Sequence, residues 1–406
     1  MKRIVLVSNT SWSMIKFRLG VIKALVVAGH EVIIIAPKDK HSNDFHALGC
    51  HYIELSMDNK GSNIFNDIKM VYKLQKVYKK LDPDIIFHYT IKPNIYGTLA
   101  AKWAEKKSIA VITGLGYTFI HDNMTAKIAK FLYKKSLKYA QRVWFINIED
   151  KNKFILANLV PEEKMEILPS EGINTETFMP IPMKRVDNTF RFVLIARLLW
   201  DKGVGEYVKA AKELKKRYSN VEFQVVGFID AQNPKAISKP QVDDWIAKGY
   251  INYLGPTDDV KPFIANADCV VLPSYREGVS MILMESAAMQ KPLIASNVPG
   301  CRDLVQNSVS GYLCRMRDYH DLIDKMDKML HLSDIERQKM GEKGRKFMVE
   351  EYNENIVIEK YLQTVKECTW DESVEKFTQK SDLELSSDEA QTPSSNATHF
   401  RKKSAI

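Results

Sequence analysis

The sequence predicts an α/β protein of two doubly wound, Rossmann-like parallel-sheet domains facing a cleft, and three observations predict it. The chain has 406 residues, too many for one ordinary core at ~150 residues per domain. Short all-apolar runs recur between helix-length amphipathic stretches, and such runs are what strands buried on both faces look like. The rhythm stops once, at the proline-bearing segment MPIPMKRVDN (179–188), and then begins afresh. Two such sheets joined by a linker leave a cleft between the carboxyl ends of their strands, where this architecture binds ligands.

The first series opens with IVLV (4–7), an amphipathic segment from about Phe17 to Val27, Gly29 as helix stop, and EVIIIAP (31–37). It continues with DIIFH (84–88), IAVITG (109–114) and RVWFIN (142–147). These place a first domain at 1–183. The second series reads FRFVLIAR, VEFQVVG, INYLG, DCVVLPS, KPLIAS and GYLC, each followed by a helix-like stretch, and places a second domain at 184–354. Residues 371–406 are polar, Ser-rich and low in aliphatic side chains, the composition of a disordered tail. Its Asn396-Ala-Thr triplet matches a glycosylation acceptor by chance, since no secretion signal is visible.

A composition of 45% hydrophobic and 27% charged residues excludes collagen-like, coiled-coil and wholly disordered chains. The net charge of +9 is uneven: residues 1–185 hold 28 basic and 17 acidic residues, the remainder 31 and 33. The first half should therefore face something anionic. Cys50, Cys269, Cys301, Cys314 and Cys368 show no CxxC pairing, which predicts reduced thiols, no zinc site and a cytoplasmic protein. No apolar stretch approaches the ~20 residues of a transmembrane helix.

The strongest local signal is CVVLPSYREGVSMILMESAAMQKPLIAS (269–296). A buried strand runs into a turn bearing Glu277 and Gly278, and a helix begins near Ser280. Helix N-termini offer free amides and a partial positive charge, so the turn suits an anion. Gly278 would let the backbone approach a diphosphate. Glu277 and Glu285 would project to one side and could each grip a diol. In VLIARLLWDKGV (193–204), Arg197 and Lys202 leave the first strand of the second domain where ligands bind, and a diphosphate matches their charge.

Taken together, these residues resemble glycosyltransferase family 4, retaining enzymes of GT-B architecture. The resemblance spans about residues 1–370 and includes Gly227 after FQVVG, Leu254-Gly255 after INY, and LPSEGINTETF (168–178), similar to the family's crossing segment. It implies that Arg197, Lys202 and Glu277 are catalytic: the two cations stabilise charge on the leaving nucleoside diphosphate and Glu277 contacts the donor sugar. Glu285 would bind ribose hydroxyls. The Gly278, Val279 and Ser280 amides would lie near the phosphates, Gly227 at the donor site, and the base, expected to be uracil, near Leu254 and Gly255. A helix at 355–370 would cross back to the first domain. No metal or cofactor is expected, and Asp82-Pro83-Asp84 reads as a turn.

SNTSWSMIKFRLGVIKAL, HYTIKPNIYGTLAAKWA and ITGLGYTF resemble a bacterial subgroup that builds lipid-linked glycans and surface polysaccharides. The resemblance implies a polyprenyl-diphosphate-linked saccharide as acceptor. Asn9 and Thr10 occupy the loop where many members have a Gly-Gly pair, and no histidine stands at the family's usual place, so His88 is either a substitute or structural. Arg18 either meets the acceptor's diphosphate or is structural. Lys69, Lys73, Lys76 and Lys80 share one helical face, as do Lys127, Lys130, Lys134, Lys138 and Arg142. At ~1 kcal/mol per lysine near an anionic bilayer, these faces would dock the first domain on the inner face of the cytoplasmic membrane.

Three other readings compete. An oxidoreductase lacks G-x-G-x-x-G after a first strand. A nucleic-acid-binding or purely membrane-binding protein would use the basic faces but leave the cleft motifs unexplained. A sugar-nucleotide epimerase of GT-B architecture would turn over donor alone.

Overall fold

A computed structural model describes residues 1–57, 64–115, 124–183, 187–230, 233 and 235–369. The tail 371–406, with Asn396, lies outside the described residues, as do residues 116–119 of ITGLGYTF and 184–186 of the linker.

The N-domain holds strands β1 (Arg3–Val7), β2 (Glu31–Ala36), β3 (His51–Glu54), β4 (Ile85–Tyr89), β5 (Ser108–Ile112), β6 (Arg142–Phe145) and β7 (Met165–Ile167). They form one parallel sheet in the order β3-β2-β1-β4-β5-β6-β7. Helices cover it on both faces: α1 (Ser11–Val27), a single turn α2 (Asp44–Ala47), α3 (Ile64–Leu81), α4 (Thr98–Trp103), α5 (Met124–Leu137) and α6 (Ile148–Leu156). The predicted runs are the buried central strands; β4 and β5 are buried at every position. The sequence reading missed β3 and β7, which are edge strands of four and three residues with incomplete burial. An edge strand needs fewer apolar positions, so its signal is weak.

The C-domain sheet, order β10-β9-β8-β11-β12-β13, is also parallel. Its strands are β8 (Phe190–Ile195), β9 (Val221–Val226), β10 (Asn252–Tyr253), β11 (Cys269–Leu272), β12 (Leu293–Ser296) and β13 (Gly311–Cys314). All six occur within the predicted runs. Helices α7 (Val204–Leu214), α8 (Lys239–Ala247), α9 (Lys261–Asn266), α10 (Met281–Ala288), α11 (Tyr319–His331) and α12 (Asp334–Glu351) complete it.

Leu168 is buried in the N-domain core and Ile173 in that of the C-domain, so the chain crosses ahead of the proline-bearing segment. It returns beside the outgoing strand: the Ile173 amide donates to Tyr352 O at 2.8 Å and the Glu354 amide to Ile173 O at 3.0 Å. The last helix, α13 (Glu354–Thr369), then buries Val357, Tyr361 and Val365 in the N-domain core with Val21, Ile22 and Leu25 of α1.

Candidate active site

In the C-domain the strand order reverses between β8 and β11, which pair directly through Cys269 and Phe192. A crevice opens at such a reversal because the connections leave in opposite directions. The loops after these two strands carry Arg197 and Lys202 on one side and Glu277 on the other. They line one cleft of about 920 Å³ together with Val279, Ser280 and Glu285.

The two loops are bound tightly to each other. The Tyr275 amide donates to Asp201 O at 2.9 Å and the Ser274 hydroxyl to the same oxygen at 3.1 Å. Gly203 has φ +73°, and a Cβ there would collide with the Pro273 carbonyl. This packing delivers Lys202 to Glu277: Nζ donates to both carboxylate oxygens, at 2.6 and 2.7 Å. Arg197 is exposed to the cleft, and no carboxylate among the described residues pairs with it.

Glu285 lies on α10, 3% exposed. Burial pushes its carboxyl above the ordinary range, and Lys16 of α1 pulls the other way from 3.4 Å. The expected row of anion-binding amides is shorter than the sequence suggested. The Ser280 amide donates to Gly300 O at 3.0 Å, so it is already engaged, whereas the Gly278 and Val279 amides meet no backbone acceptor among the described residues. The glycine at 278 also has a nearer cause than a ligand: a Cβ there would sit 2.7 Å from Thr113 O of the other domain.

Gly227, Leu254 and Gly255 shape the cleft without lining it. The Gly227 amide donates to Gly255 O at 2.9 Å, and the Tyr253 hydroxyl to Gly227 O at 2.7 Å. Leu254 packs on the core. The neighbours Phe228, Pro256, Thr257 and Asp258 reach the cleft instead. From the N-domain come Trp12, Lys16, Phe17 and Lys40, which the sequence reading missed.

Two family models match this chain: "Glycosyl transferase 4-like" over residues 3–147 and "Glycosyl transferases group 1" over 180–347. The N,N'-diacetylbacillosaminyl-diphospho-undecaprenol alpha-1,3-N-acetylgalactosaminyltransferase of Campylobacter jejuni is 31% identical over 89% of this chain and 97% of its own length. The chain belongs to this glycosyltransferase family. The UDP-Gal:alpha-D-GlcNAc-diphosphoundecaprenol alpha-1,3-galactosyltransferase of Escherichia coli is 27% identical over 66% of this chain and 73% of its own. A glycosyltransferase structure from Rickettsia africae superposes with a TM-score of 0.76 at 20% identity, covering 90% of this chain and 98% of that one. The fold is GT-B.

The N-domain of this glycosyltransferase corrects several residue assignments. Arg18 is 3% exposed, paired with Glu171 at 2.6 Å and stacked over the Tyr89 ring at 4.1 Å. It ties α1 to the crossing segment and is almost wholly closed off from solvent, which fits the structural alternative. His88 has no exposure, contacts the Tyr78 hydroxyl at 3.0 Å and the Thr98 hydroxyl at 3.4 Å, and burial lowers its pKa to about 3. It is a neutral core residue. Thr10 caps α1, its hydroxyl accepting from the Ser13 amide at 3.2 Å, and Asn9 beside it is half-buried.

Lys69, Lys73, Lys76 and Lys80 of α3 are exposed, as are Lys127 and Lys134 of α5; Lys130 is half-buried and Lys138 lies just beyond that helix. Arg142 is not on the helical face assigned to it. It opens β6 and pairs with Glu166 and Glu367. Among the described residues no group of His, Cys, Asp and Glu could hold a metal ion.

Proposed function

We propose that this enzyme transfers a hexose or N-acetylhexosamine from a UDP-sugar, with retention, to an undecaprenyl-diphosphate-linked saccharide in bacterial glycan biosynthesis. The observation that carries the reading is the Lys202–Glu277 pair at the C-domain switch point, with Arg197 beside it. Breaking the sugar–phosphate bond leaves its electron pair, and hence negative charge, on the diphosphate, while the anomeric carbon becomes cationic. Glu277 holds Lys202, and Arg197 is exposed on the same cleft. Both cations would meet that negative charge, and preorganised charge of this kind lowers a barrier. They meet it without any metal or cofactor being invoked. Glu277 takes the donor sugar and Glu285 the ribose. The acceptor oxygen bonds the anomeric carbon from the face that the diphosphate leaves, and its proton passes to the departing phosphate. The acceptor class rests on the two relatives, both of which act on undecaprenyl-diphosphate-linked sugars.

Peripheral docking on the cytoplasmic membrane follows from that acceptor, and the N-domain surface supports it. Phe65, Ile68 and Tyr72 of α3 are 84, 49 and 55% exposed; Met124, Ile128 and Phe131 of α5 are 71, 53 and 59% exposed. Each set forms a stripe flanked by the exposed lysines. Because all strands are parallel, helices run back against them, so the Phe65 and Met124 ends lie at the sheet's carboxyl edge, on the cleft side. Aromatic and aliphatic side chains among lysines suit the boundary of an anionic bilayer. No helix among the described residues is long and apolar enough to cross a membrane.

The decisive assay supplies a panel of labelled nucleotide sugars with a lipid-linked acceptor extract. Lys202→Ala and Glu277→Ala should each lower transfer by at least ~10² with Tm little changed, and the product's anomeric configuration should match the donor's. Near-normal transfer by both variants would sink the site assignment, and turnover of donor without acceptor would favour an epimerase.

A further inference from the structure

The loop Pro273–Ser280 that carries Glu277 is gripped from the opposite domain. The Arg276 guanidinium pairs with Asp150, whose side chain has no solvent exposure, and lies 3.6 Å from Glu149. Arg302 holds Glu149 at 2.9 Å. Asn147 Nδ2 donates to Gly278 O at 3.1 Å. Beneath these contacts the backbones themselves touch: a Cβ on Gly114 would lie 3.2 Å from the Gly278 Cα.

The N-domain partners form one socket. Asn147 caps α6 by accepting from the Asp150 amide at 2.8 Å, and its Nδ2 also reaches Asp150 Oδ2 at 3.1 Å. Asn147 therefore starts the helix and orients Asp150 toward Arg276. The residues on either side of Glu277, Arg276 and Gly278, are both tied to this socket, while the Glu277 side chain is tied to Lys202 within its own domain. A buried ion pair adds little net stability, because desolvation offsets the attraction; its contribution here is geometric.

We infer that Asn147 and Asp150 are positioning residues for Glu277: the N-domain helps complete the donor-sugar site by holding the Arg276–Gly278 segment. The inference rests on the reading of Glu277 as the donor-sugar contact. It goes beyond that reading in giving two residues of the acceptor-side domain a part in placing the donor.

A double-mutant cycle on the full-length enzyme tests it, with kcat, donor KM, UDP affinity by calorimetry and Tm measured for Asp150→Asn, Arg276→Gln and the pair. Each single change should lower kcat about tenfold, the scale of a modest misplacement at a reacting centre. UDP affinity should stay near the parent's. Tm should fall in Arg276→Gln, which leaves the Asp150 carboxylate buried without its partner, and stay nearer the parent's in Asp150→Asn, where Arg276 keeps Glu149. The double variant should lose no more kcat than the worse single. Asn147→Ser keeps the cap but cannot span to Gly278 O, and should lower kcat similarly; Arg276→Lys should recover part of the loss. Unchanged kcat in Asp150→Asn, losses that multiply in the pair, or losses that simply follow Tm would each overturn the clasp. An inactive parent under every donor and acceptor would sink the functional reading as well, whereas an active parent matched by Asp150→Asn sinks the clasp alone.

Discussion

At the scale of single residues, what decides a role is the partner. Lys202 and Glu277 were readable because each sits just beyond a buried apolar strand, in a motif complete within a few positions. Lys16 was not: its partner Glu285 is 269 positions away, and on α1 alone it looks like any surface lysine. Arg18 was ambiguous for the same reason, since Glu171 that neutralises it is 153 positions distant. His88 makes a measurable statement. Its pKa of about 3 lies below the ordinary value of 6.5, so between those limits the unfolded chain binds a proton that the folded core refuses. Stability should thus fall as pH drops from 6.5 toward 3, by up to ~1.4 kcal/mol per unit from this group. Urea midpoints at pH 7 and pH 5 should converge in His88→Asn relative to the parent, and an equal pH loss in both proteins would contradict the assignment. Gly227 is constrained by a φ of +150° and by the Ala196 carbonyl, into which a Cβ would press. Gly227→Ala should cost about 2–4 kcal/mol, read as a lowered urea midpoint.

Secondary-structure elements show where a periodic pattern suffices and where it misleads. The lysine faces of α3 and α5 were visible because a spacing of three and four defines a helical face wherever the helix lies. The pattern ran past the element, however: α5 stops at Leu137, and Arg142 belongs to the next strand. The outward apolar stripes escaped notice because α5 is apolar on two sides, one packed inward through Ala126, Ala129 and Tyr133 and one facing out. Sequence alone does not say which is covered. If the outer stripe enters lipid, the two contributions separate by salt. Replacing Lys127, Lys130, Lys134 and Lys138 with Gln should lower partitioning onto anionic vesicles by on the order of 10²–10³ at low salt. Ile128→Ser with Phe131→Ser should instead remove the binding that persists at high salt, where charge is screened. Partitioning that responds to neither set would dispose of the membrane surface.

For the whole molecule, both sheets and the cleft between them were legible from the apolar rhythm, whereas the contacts joining the domains were not, because each pairs residues that belong to different motifs. The returning helix α13 is the clearest case. Tyr361 packs 4.9 Å from the rings of both Phe87 and Trp144, and the Tyr89 hydroxyl donates to its own at 2.9 Å. Tyr361→Ala should cost about 3–5 kcal/mol and lower the N-domain's denaturation midpoint; a variant as stable as the parent would mean that α13 is dispensable. The same helix sets an order of events during synthesis. The first domain to leave the ribosome lacks a piece of its core until the entire second domain has been made, and at ~5–20 residues per second the α1 face stays bare for on the order of ten seconds or more. The second domain, whose strands and helices are contiguous in the chain, can close first, so the half made earlier finishes folding last and is the one most in need of a chaperone.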